Sequence, residues 1–144
     1  MNDTYYYEVN LLWDFESRGT LGCPVAPEKM KAIPREFPKV KKEKWTAEHL
    51  FVASVSSSLM SAFLLVAENS KLSFISFESS AIGAIEMVDG KLTVTEIVLK
   101  PTLVLASSQK ESKAKRVLEM SGKACSISNA ASTKITIEHG IIIQ

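Results

Sequence analysis

Tyr5, Tyr7, Val9, Leu11 and Trp13 alternate with Tyr6, Glu8, Asn10 and Leu12. This aromatic-rich period of two predicts a strand. Residues 14–17 are turn-like, and 18–23 are expected to run back as a second short strand. Four of the five prolines (Pro24, Pro27, Pro34, Pro38) fall within 24–44. Proline fixes φ and removes a donor, so this stretch is expected to be irregular, with one short strand near 30–33. From 47 to 68 there is neither Gly nor Pro, and Phe51, Val55, Leu59, Ala62, Phe63 and Val66 recur at three- and four-residue spacing. That periodicity predicts a long, largely buried helix, with Thr46 as N-cap and Glu48 set against the dipole of its first turn. Its small residues, Ala53, Ser54, Ser56, Ser57, Ser58 and Ser61, would let another backbone come close.

Strand-like runs follow at 74–77, 79–88 and 91–100, with Asp89-Gly90 between the last two. Asp-Gly in that setting signals a hairpin, since a type I′ turn needs positive φ at both central residues. The alternation changes phase between Val94 and Ile97, which predicts a bulge near Thr95-Glu96. Pro101 is expected to interrupt the run before it resumes over 102–105. A second helix is expected over 109–125, with Ala114, Val117, Leu118, Ser121 and Ala124 on one face. Residues 134–143 are expected to close the chain as one strand. The order β, long α, hairpin, α, β is that of an α+β fold, read as a single domain over 1–144.

Composition narrows the class. With 144 residues, 46% hydrophobic and 23% charged, the chain can bury a core without staples. A net charge of +1 gives no electrostatic reason to expect nucleic acid or an anionic membrane as partner. Five serines within 50–66, the most apolar stretch, argue against a membrane span. Cys23 and Cys125 suit a reducing compartment better than a disulfide framework, so a cytoplasmic location is expected.

Most chemistries find no support in the residues. His49 and His139 have no metal-ligand spacing with the cysteines, and His49 is expected on the helix surface. The serine-rich stretch contains no G-x-S-x-G elbow, and no Gly-rich loop could cradle a phosphate. The basic run Lys39-Val40-Lys41-Lys42-Glu43-Lys44 reads as a solvated loop. Neither a metal nor a cofactor is expected.

Several pieces spread along the chain carry a resemblance. They are Trp13, Arg18-Gly19, Pro34-Arg35-Glu36-Phe37, Trp45-Thr46-Ala47-Glu48, Asp89-Gly90, Glu96-Ile97 and Cys125-Ser126-Ile127-Ser128-Asn129-Ala130. Together they resemble the OsmC/Ohr family of osmotically inducible and organic hydroperoxide resistance proteins. The resemblance implies an intertwined homodimer with curved antiparallel sheets around two long central helices and two sites at the interface. It also implies a chemistry, in which a helix cysteine attacks a hydroperoxide and a second cysteine resolves the resulting sulfenic acid as a disulfide. An arginine and a helix-entry glutamate orient and acidify the first thiol.

Carried over by position, Cys125 is the resolving thiol, Glu48 the carboxylate and Arg18 the arginine, with Arg35 as the alternative. The attacking position is Ser58. Ala47 stands where the family usually has proline, and Ser126 where proline is common. The serine matters most: a thiol of pKa about 8.5 supplies thiolate at neutral pH, an aliphatic hydroxyl does not, and oxygen cannot cycle through a sulfenate. Two readings stand. One is a non-catalytic or ligand-binding dimer with a degenerate site, taking a small hydrophobic hydroperoxide or lipid-like ligand. The other is a thiol-dependent reductase working through Cys125, alone or with Cys23.

Overall fold

The computed structural model of the protein describes residues 4–13, 19–32, 45–125 and 133–144. By its contacts the chain divides into two compact units, residues 1–50 and 51–144.

In the first unit, β1 (Asn10–Trp13), β2 (Gly19–Cys23) and β3 (Ala26–Ala32) form an antiparallel sheet in the order β1-β2-β3. The strand expected from Tyr5 is shorter than its alternation suggests, because ladder pairing starts only where Asn10 meets Gly22. The stretch expected to be irregular carries a seven-residue strand that includes Pro27. In this sheet β3 has one neighbour, so a proline can sit in it without breaking a ladder on its free side. Pro24 and Val25 make the tight turn that joins β2 to β3. Beyond β3, Ala32 forms an isolated parallel bridge with Trp45, just ahead of the long helix.

The long helix α1 (Ala47–Asn69) matches its periodicity, with Val55, Leu59, Phe63 and Ala67 buried at a strict four-residue spacing. Among the described residues it is the one helix long and apolar enough, by length and composition, to cross a bilayer. Here that apolarity supplies the core. The helix ends in a Schellman motif. The Lys71 N–H donates to Glu68 O (3.1 Å), the Leu72 N–H donates to Ala67 O (2.9 Å), and Lys71 takes φ of 56°.

In the second unit β4 (Ser76–Val88) and β5 (Lys91–Leu105) form a long antiparallel hairpin. Its turn has φ of 48° at Asp89 and 77° at Gly90, as a type I′ turn requires. The register slips where Ala84 pairs with Glu96 but Ile85 pairs with Val94, leaving Thr95 as the extra residue. After that bulge the odd positions Ile97, Leu99, Pro101, Leu103 and Leu105 are the buried ones.

Pro101 does not interrupt β5. On the side away from β4, β5 pairs parallel with two short strands, β6 (Lys134–Ile137) along 96–99 and β7 (Gly140–Ile143) along 102–105. The Glu138 N–H donates to Leu99 O (2.8 Å), so alternation points the Pro101 nitrogen the same way. It therefore faces the break between β6 and β7, where no ladder bond needs its N–H. The closing stretch is thus two parallel strands, and the sheet is mixed, with only the β4–β5 pair antiparallel. A single 3-10 turn (Ser108–Lys110) leads into α2 (Glu111–Ala124).

Two apolar clusters hold this unit together. One joins Phe63 and Ala67 of α1 to Leu103, Leu105, Ala114, Val117 and Leu118, with Phe63 stacked on Phe77 at 4.6 Å. The other joins Val55 and Leu59 to Ile97 and Leu99.

Candidate functional site

The buried stripe of α1 fixes which way Ser58 points. Val55 three residues before it and Leu59 just after it are fully buried, so Ser58 lies at the flank of the core-facing side and is half-buried. On α2 the stripe Ala114, Val117, Leu118 and Ser121 faces inward, and Cys125 follows Ser121 by four residues. The helix stops there: Cys125 is its C-cap, with φ of −64° and ψ of 110°. Its thiol is therefore carried on the inward face, and the residue is 1% exposed. Ala124, placed by its spacing on the buried face, is exposed instead.

The two helices bring these residues into contact. The Cys125 thiol donates a hydrogen bond to the Ser58 hydroxyl, with Sγ and Oγ 3.1 Å apart across 67 positions of sequence. The contact makes the two positions neighbours, though 3.1 Å is longer than the about 2.05 Å of a disulfide bond. As it stands, the hydroxyl oxygen accepts a hydrogen bond from the thiol. Lys123, two residues before the thiol, is exposed.

Glu48 belongs to the first unit and lies in the opening turn of α1. It is half-buried, with its Oε2 out of contact with solvent. Arg18 and Arg35 lie outside the described residues, as do Ser126 through Ala130 of the motif that begins at Cys125. Cys23 closes β2 and is half-buried, and neither cysteine is in a disulfide. Among the described residues no group of three or more His, Cys, Asp or Glu could hold a metal ion.

The helix entry contains a feature that residue spacing alone did not single out. The His49 backbone N–H donates to Thr46 Oγ1 (3.3 Å), and the Thr46 N–H donates back to His49 Nδ1 (3.1 Å). This is the reciprocal geometry of a capping box, with histidine where glutamate or glutamine is usual. The signal was present as Thr-x-x-polar at the helix start, but histidine is rarely counted as an acceptor there.

A family model described as OsmC-like protein matches residues 40–140. The chain belongs to the OsmC-like family. Solved structures agree on the fold of this OsmC-like protein. An OsmC-like protein from Vibrio cholerae superposes with a TM-score of 0.82 at 21% identity, covering 94% of this chain and 99% of the other. An organic hydroperoxide resistance protein from Elizabethkingia anophelis gives 0.76 at 18% identity, with both chains covered in full (100% each). An organic hydroperoxide resistance protein from Legionella pneumophila gives 0.71 at 17% identity, covering 99% and 100%. Among curated proteins none matches in sequence.

Proposed function

We propose that this OsmC-like protein is a homodimeric, cytoplasmic scaffold whose thiol peroxidase site has lost its attacking sulfur. In this reading the site binds a small apolar hydroperoxide or lipid-like molecule, or nothing at all, and does not turn it over. The observation that carries the reading is the hydrogen bond between Cys125 and Ser58. In a two-cysteine peroxidase, one thiolate attacks the hydroperoxide, giving a sulfenic acid and an alcohol. The second thiol then displaces water to form a disulfide, which an external dithiol reduces. The resolving position holds sulfur here, and its neighbour at the attacking position holds oxygen. Serine can neither carry the sulfenate nor enter the disulfide.

Support for a dimer comes from apolar surface that each unit leaves uncovered. Met60, Leu64 and Leu65 on α1 and Ile82 and Met87 on β4 are exposed in the second unit, as are Leu11, Leu12 and Trp13 of β1 in the first. Large exposed apolar side chains on both units are candidates for burial against a second copy. A thiol-dependent reductase using Cys125, with or without Cys23, is the second reading. The retained thiol favours it, and its near-complete burial opposes it.

Replacing Ser58 separates the two. Ser58→Cys is expected to form an internal disulfide with Cys125 on treatment with an organic hydroperoxide and to acquire dithiol-dependent turnover absent from the unmodified protein. Catalytic turnover by the unmodified protein that disappears in Cys125→Ser would establish the second reading instead.

A further inference from the structure

We propose that His49 makes the entry of α1 sensitive to pH, holding the first turn closed when its ring is neutral and loosening it when the ring is protonated. A backbone N–H can only donate, so the Thr46 N–H at 3.1 Å from Nδ1 identifies that ring nitrogen as an acceptor. The neutral ring therefore carries its proton on Nε2, an assignment that follows from the bonding pattern. The Thr46 hydroxyl also lies 2.8 Å from Nδ1, and Thr46 Oγ1 accepts the His49 N–H at 3.3 Å. One side-chain pair thus satisfies an orphan donor at the helix start and fixes the N-cap residue itself. Thr46 is buried, so water cannot readily replace what the ring supplies.

Protonation puts a hydrogen on Nδ1. The ring can still donate to Thr46 Oγ1, but the Thr46 N–H then faces a second donor and loses its acceptor. The new positive charge also stands at the positive end of a 23-residue helix. A glutamate or glutamine in the same place would accept at every pH near neutrality. Histidine stops accepting there once its ring takes up a proton.

The charged and aromatic groups around the ring are few among the described residues. Trp45 packs edge-on at 6.3 Å between ring centroids. Glu48 is the neighbouring residue on the same turn. β3, which bridges to Trp45 through Ala32, carries Lys31, whose ammonium is turned to Thr20 Oγ1 at 2.6 Å. Glu48 rides on this turn, so loosening the cap loosens its half-buried carboxylate as well. The proposal stands apart from the question of peroxidase activity and is tested without it.

The measurement is amide hydrogen exchange at Thr46 and Leu50, expressed as protection relative to the intrinsic rate, at about pH 7.5 and about pH 5. The Leu50 N–H donates to Thr46 O at 3.0 Å and reports the first helical bond. In the unmodified protein protection is expected to fall by roughly three- to tenfold at the lower pH, beyond any change at core amides such as Leu99. His49→Gln, which accepts but does not titrate, is expected to hold protection at both pH values. His49→Ala is expected to show the low value at both. Equal protection at the two pH values in the unmodified protein would overturn the proposal, and so would a matching fall in His49→Gln.

Discussion

At the scale of single residues, the proposed loss of peroxidase activity turns on one atom. Sulfur at Cys125 and oxygen at Ser58 meet at 3.1 Å, the first fully buried and the second half-buried. The residue types could be read directly from the chain, but their contact could not, since 67 positions separate them. Reactivity follows from exposure as well as from identity. Cys125 is 1% exposed while Cys23 is half-buried at the end of β2. An aromatic disulfide reagent is therefore expected to modify one thiol quickly in the folded protein and the second only after denaturation. Cys23→Ser should remove the fast reaction. Equal, rapid modification of both thiols would show that Cys125 is more open than its packing implies.

At the scale of elements, local chemistry accounts for most boundaries. Asp89-Gly90 set the hairpin turn, the phase change before Ile97 marked the bulge at Thr95, and Thr46 began α1, all as the residues predicted. Where the expectation failed, a neighbouring strand was responsible. Pro101 lies within β5 because β6 and β7 leave a gap opposite it, and nothing near Pro101 in sequence announces that gap. The C-terminal end of α1 offers a direct test of local strain. Lys71 occupies the left-handed position of the Schellman motif, where a Cβ costs about 1 kcal/mol and glycine is the usual occupant. Lys71→Gly is expected to raise stability by roughly 0.5–1 kcal/mol, read as a higher urea midpoint at unchanged slope. A lower midpoint would show that the lysine side chain contributes more than its backbone costs.

At the scale of the molecule, packing selects among the faces that periodicity offers. The stripe Val55, Leu59, Phe63 and Ala67 is shared between two clusters, one under Ile97 and Leu99 and one against α2 and the end of β5. Gly83 permits the close approach of β4 to α1, since a Cβ there would come within 2.6 Å of Val52 Cγ2. The apolar residues left outside these clusters, Met60, Leu64 and Leu65 among them, are the basis for expecting a second copy. Light scattering at micromolar concentration is expected to give twice the mass of the chain. Substituting Leu64 and Leu65 together by serine should lower that value while leaving the helical circular dichroism in place. A monomer in the unmodified protein would remove the homodimer from the proposed function.

The chain by itself determined the α+β class, the hairpin, the bulge, the two helices and the identity of the atoms at positions 58 and 125. These follow from short-range periodicity, turn geometry and covalent chemistry, which neighbours in sequence are enough to express. The contact between those two atoms and the split of the last strand around Pro101 were decided by tertiary structure. Each depends on groups brought together by packing, which residue spacing does not encode.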